Sequence, residues 1–253
     1  MKKLLLVFSM ATMGLAALVA EPHRVSVAAA ANVASVAPEL ETAFEKAYPG
    51  DKAEFTFGSS GNLVTQIING APFDVFLSAD MGFAQKLAET GLTFGPVQPY
   101  AVGKLALFSL KGLNLSQGLN VLLDPRVTQI ASSDPRLAPY GRAAQQALMK
   151  LHLWNKLQGK ILVAQDVTQA LQFSLQGADA GFVNLSALKT SKLTLYVEGK
   201  DWIEVDPSLY RPIEQGFVVL QARALNQAVV DFRDFLLSPA AQAVFTSFGY
   251  GKP

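Results

Sequence analysis

Four short stretches set small or hydroxylated residues where an apolar run gives way to an amphipathic one. They are Ala31-Asn32, Ser59-Ser60-Gly61, Tyr140-Gly141 and Asp166-Val167-Thr168. Each reads as the end of a strand and the start of a helix. A helix start leaves its first backbone N–H groups without intrahelical partners and carries about half a positive charge, so it attracts anions without any cationic side chain. Taken singly, each stretch reads equally well as an ordinary cap, because Ser, Asn and Asp are preferred there. Ser59-Ser60-Gly61 alone could also hold a nucleotide phosphate. Recurrence at corresponding places in two halves of the chain is what points to a shared anion site.

Catalytic constellations do not compete well with this reading. The two histidines are His23, near the start, and His152, at the end of a helical stretch. A Ser–His–Asp hydrolase would have to use one of them, and Gly58-Ser59-Ser60-Gly61-Asn62 departs from G-x-S-x-G. Neither a P-loop nor G-x-G-x-x-G occurs, and no histidine or carboxylate cluster has metal-ligand spacing. His152, Asp74, Asp80 and Asp166 read as a helix-end residue and structural caps.

The elements that must position the junctions follow from periodicity. Val25 to Ala31 is an apolar run, and Val36, Leu40, Ala43, Phe44 and Ala47 mark one helical face that Pro49-Gly50 ends. Strands are expected at 53–57, 73–77, 104–109, 130–132, 160–164, 180–183 and 217–220, with amphipathic helices between most of them. Two helices close the chain, the last capped by Ser238 with Pro239 at its first position. Alternation of this kind implies right-handed βαβ units, an α/β class and mainly parallel sheets. Two sets without a flexible joiner suggest two lobes, 21–103 plus 214–253 and 104–213, with crossovers near 100–104 and 212–217.

Composition bounds the rest. Half of the 253 residues are hydrophobic, enough for a substantial core. With no cysteine, disulfides, thiolate metal sites, a lipidated N-terminal cysteine and cysteine nucleophiles are excluded. Lys2-Lys3, the apolar run Leu4 to Val19 and the small residues up to Ala20 read as a cleaved secretory signal over 1–20, too short for a stable membrane span. Loss of those two lysines leaves 19 basic against 20 acidic residues. A nucleic-acid partner would want a basic patch, which is not evident.

Several motifs together give the chain a family likeness. They are Val27-Ala28-Ala29-Ala30-Ala31-Asn32, Phe57-Gly58-Ser59-Ser60-Gly61-Asn62-Leu63, the long stretch Asn69 to Asp80, Asp134-Pro135 with Pro139-Tyr140-Gly141, Asp166-Val167, Gly181-Phe182-Val183 and Ser238 to Gln242. Through nearly all of the mature chain the sequence resembles the periplasmic molybdate-binding proteins of ATP-driven uptake systems. The resemblance implies a type II periplasmic-binding fold whose two lobes close on the oxyanion. It also implies capture of molybdate and tungstate, a membrane permease of an ABC transporter as partner, a monomeric state, and neither enzymatic activity nor a cofactor. By family pattern the donors are Ala31 and Asn32, the hydroxyl and amide of Ser60, the region of Tyr140 and the amide of Val167. Asn184 stands where some relatives carry a tyrosine ligand, and Ala31 where some carry a hydroxylated residue. A receptor for another tetrahedral oxyanion such as sulfate, or an exported hydrolase, is the alternative.

Overall fold

Burial along His23–Ala30 (β1) shows how the first lobe is built. Val25, Val27 and Ala29 pack on one face with Phe44, Phe232 and Phe235. Ala28 turns to the other face, toward Leu63 and Phe76. A strand buried on both faces needs helices on both faces, and its sequence then reads as a continuous apolar run. The structure, a computed structural model, describes residues 23–253; the signal expected over 1–20 lies outside the described residues.

In the first lobe, β1 is followed by a 3-10 turn at Ala31–Ser35, helix α1 (Ala37–Ala47), β2 (Asp51–Gly58), α2 (Ser60–Ile68), β3 (Val75–Leu77), α3 (Met81–Ala88) and β4 (Thr93–Gly103). The chain then crosses at Lys104 into the second lobe. There it forms β5 (Leu105–Phe108), β6 (Ile130–Ser133), α4 (Pro139–Lys150), α5 (Trp154–Leu157), β7 (Ile161–Ala164), α6 (Val167–Gln176), β8 (Ala180–Asn184), α7 (Leu185–Leu188) and β9 (Trp202–Glu204). It returns through β10 (Ile213–Leu220) and ends in α8 (Gln227–Leu236) and α9 (Pro239–Ser247).

Two five-stranded sheets result, ordered β2-β1-β3-β10-β4 and β7-β6-β8-β5-β9. Both are more mixed than the alternation pattern implies. β1 pairs parallel with β2 and β3, and β6 pairs parallel with β7 and β8. The strands that follow each crossing, β10 and β5, enter antiparallel to their neighbours. A chain that changes lobes arrives without the crossover helix that a parallel strand needs. Strand β4 extends back to Thr93, well before the crossover expected near 100–104, because Gly95, Pro96 and Pro99 interrupt the apolar pattern. Its position at the sheet edge accommodates prolines that cannot donate to a ladder.

Caps fix where the helices begin. Asp80 accepts from the Phe83 N–H at 2.7 Å, Asp166 from Gln169 at 2.9 Å and Ser238 from Ala241 at 3.3 Å. His152 follows α4 with φ 56°, a left-handed helix-end position. The parallel strands of both lobes point their carboxyl ends into one crevice, where helix starts gather.

Candidate functional site

The starts of the 3-10 turn, α2, α4 and α6 line a single cavity, together with Ala79. Ala31, Asn32, Ser60, Tyr140 and Val167 are all on its wall, each 5% exposed or less. The free volume is about 10 Å³. One water requires roughly 10–15 Å³ on the same scale, so the walls lie close together and leave no room for an organic solute.

Backbone donors converge there for a local reason. The first intrahelical bonds run from Leu63 to Ser59, Arg142 to Ala138 and Ala170 to Asp166, at 3.0, 3.1 and 3.1 Å. The N–H groups of Ser60, Tyr140 and Val167 precede them and so fall outside the helical ladder. Pro139 sits at the first position of α4 and has no N–H, which makes Tyr140 the first donor of that helix.

Side chains divide into those turned to the cavity and those turned away. Ser60 Oγ accepts from the Ala79 N–H at 3.0 Å, which leaves its own proton to donate elsewhere. Ser59 is the N-cap of α2 yet makes no capping bond. Its Oγ is buried on the cavity wall without a hydrogen-bond partner among the described residues. The family pattern points to Ser60 and not to Ser59. The doubled serine was the only trace of a second hydroxyl.

Asn32 differs from the expectation that its side chain serves the anion. Its Nδ2 donates to Gln215 Oε1 at 3.0 Å and to Tyr250 Oη at 2.9 Å, and its unpartnered Oδ1 is an acceptor. What the Ala31-Asn32 turn can offer an anion is its backbone. The Tyr140 hydroxyl accepts from Gln215 Nε2 at 3.2 Å, on the side of the crossing strands. Burial, and then the neighbouring Tyr250, pushes the Tyr140 phenol well above its ordinary value, so it stays neutral.

Asn184 is not brought to the cavity wall. Its Nδ2 donates to Ser186 Oγ at 2.7 Å and more distantly to the Asn32 carbonyl at 3.4 Å. It precedes α7 without capping it. The side chain therefore braces the Asn32 turn from behind.

Among the described residues, no lysine or arginine lines the cavity. Arg142 is paired with Asp80 at 2.7 Å and Arg136 with Asp134 at 2.6 Å. Asp166 is the one ionisable carboxylate on the wall among the described residues, and it caps its own helix. Attraction for an anion thus comes from helix ends and neutral donors. A larger hollow of about 580 Å³ lies on the second lobe between Arg136, Trp154 and Val163. It holds no comparable convergence of donors, and both its arginines are neutralised.

Comparison with known proteins gives the family of the chain. Residues 25–251 match the family described as bacterial extracellular solute-binding protein. The chain is 39% identical to the molybdate-binding protein ModA of Azotobacter vinelandii, over 94% of each chain. With the ModA of Rhodobacter capsulatus it shares 36% identity, over 94% of this chain and 92% of that one. The solved periplasmic molybdate-binding protein of Azotobacter vinelandii superposes with a TM-score of 0.83 at 35% identity, covering 90% of this chain and 99% of its own.

Proposed function

This chain belongs to the bacterial extracellular solute-binding proteins, among the periplasmic molybdate-binding proteins, and we propose that it captures molybdate or tungstate for the membrane permease of an ATP-driven uptake system. The observation that carries the ligand assignment is the ring of helix starts from both lobes around one small cavity, with no cationic side chain on its wall among the described residues.

A tetrahedral dianion presents four oxygens that only accept hydrogen bonds. The Ala31-Asn32 turn, the amides of Ser60, Tyr140 and Val167, and the hydroxyls of Ser59 and Ser60 supply donors from several directions. Donor bonds to a charged acceptor contribute roughly 1.5–3 kcal/mol each. Hydrogen phosphate is disfavoured because its O–H needs an acceptor, and the one nearby carboxylate, Asp166, is occupied by the Gln169 N–H. Sulfate is fully ionised but smaller, so it is rejected only where the ring of donors stands too far apart to close on it. Molybdate and tungstate are alike in charge and near-equal in size, so the site accepts both.

In this reading the chain acts as a monomer holding one anion, exported by a signal cleaved near Ala20. Isothermal calorimetry with molybdate, tungstate, sulfate and phosphate tests it. One site per chain, tight for the first two anions and weak for the others, is expected. Tight sulfate binding with no heat from molybdate would overturn the ligand assignment.

A further inference from the structure

We propose that Gln215 is a positioning residue that couples oxyanion capture to lobe closure, by holding the Tyr140 hydroxyl of the second lobe against the Asn32 turn of the first. The inference rests on the cavity being the oxyanion site. Gln215 is fully buried on β10, the strand by which the chain re-enters the first lobe. Its Oε1 accepts from Asn32 Nδ2 at 3.0 Å and from Tyr100 Oη at 2.7 Å. Its Nε2 donates to Tyr140 Oη at 3.2 Å. One side chain therefore joins a helix start of each lobe from beneath the cavity.

The contact to Tyr140 differs from the other two. Asn32 and Tyr100 belong with β10 to the first lobe, so their bonds survive any separation of the lobes. The Tyr140 bond is the one of the three that spans the lobes, and in this proposal it is made when they close. Gly103, the last residue of the other crossing strand, supplies an independent sign that the contact is built in. A Cβ there would collide with both Tyr140 Oη and Gln215 Nε2. The Gly103 backbone is not left-handed, so space and not conformation demands the glycine. Anion held by the Tyr140 amide fixes the start of α4, and the Gln215 bond then locks the same residue to the first lobe.

Tyr140→Phe keeps the amide and removes only the hydroxyl. Anion affinity should fall about tenfold, chiefly through faster dissociation, because a buried Nε2 donor loses its acceptor only in the closed state. The melting midpoint of ligand-free protein should stay at the wild-type value. Gly103→Ala should act in the same direction, and the double variant should be no weaker than the worse single, as expected for residues serving one contact. Wild-type affinity in Tyr140→Phe would overturn the proposal, as would additive losses. A ligand-free midpoint lowered as much as the liganded one would also overturn it, since the bond would then be ordinary packing present in both states. If wild-type protein takes up none of molybdate, tungstate, sulfate or phosphate, the oxyanion reading falls and carries this one with it. Normal wild-type uptake beside an unaffected Tyr140→Phe removes the latch alone.

Discussion

Across the crevice, Arg142 Nη1 on α4 meets Asp80 Oδ2 at the start of α3, 2.7 Å away. Asp80 uses its other oxygen to cap α3 through the Phe83 N–H, and the guanidinium lies over the Phe83 ring at 5.5 Å from its centroid. The pair thus ties a helix start in one lobe to a helix in the other. Nearby, the Gly61 N–H donates to the Leu137 carbonyl at 3.0 Å and Thr168 Oγ1 to the Ala31 carbonyl at 3.1 Å, both also between lobes. These contacts bridge the two lobes beside the cavity.

Arg142→Met should speed anion dissociation by about two- to fivefold, because a partly exposed ion pair contributes only ~0.2–1 kcal/mol. The Arg142 side chain is 41% exposed, so salt screens the pair. Stopped-flow dissociation at low and high ionic strength should show the wild type approaching the variant as salt rises. Parallel curves would remove the ion pair from closure.

Ser60→Ala should weaken molybdate binding about tenfold to a hundredfold, the loss of one hydrogen bond to a charged partner. The same change strips the Ala79 N–H of its acceptor, so the liganded protein should also melt lower. Calorimetry settles the first point: an affinity within about twofold of wild type means that the hydroxyl does not contact the anion.

Asn184→Ala should cost less affinity than Ser60→Ala and register instead in stability. Its amide braces the Asn32 carbonyl and Ser186, and net hydrogen bonds of this kind are worth about 0.5–1.5 kcal/mol each. Dissociation constants and urea midpoints for both variants in one buffer make the comparison. A larger affinity loss for Asn184→Ala would mean that it reaches the anion after all.

Asp179 provides a pH signature away from the site. Burial works to raise its pKa, but the Thr128 N–H and hydroxyl, the Gln129 N–H and Lys111 outweigh it and hold the carboxyl at about 2. The folded value lies below the unfolded one of 3.8. Its stabilisation is therefore fully present above the unfolded value and drains away as pH falls toward the folded one. Asp179→Asn should cost roughly 1.5–3 kcal/mol at neutral pH, the worth of hydrogen bonds to a charged group. Denaturation curves for wild type and variant should converge in strong acid; a constant gap would exclude this carboxylate as the source.

Local pattern carried much of this protein in its sequence. The apolar runs around β1, β3 and β8, the helical faces of α1 and α2, and the caps Asp80, Asp166 and Ser238 obey rules that act over a few residues. The four helix starts were legible for the same reason, since an unpaired N–H follows from being first in a helix, whatever lies across the crevice. Length and alternation likewise implied two α/β lobes, although not the antiparallel entry of β5 and β10, which depends on where the chain changes lobes.

Tertiary structure alone decided how side chains were spent. Ser59 reads as a cap until α2 is seen to leave its hydroxyl on the cavity wall. Asn32 and Asn184 look like anion donors until Gln215, Tyr250 and Ser186 claim their amides. Gln215 lies 183 residues from Asn32 and 75 from Tyr140, so no spacing rule could link them. A backbone donor is fixed by the residues beside it in sequence. The direction of a side chain is fixed by the partners that folding brings within about 3 Å, and those are set only once both lobes have packed.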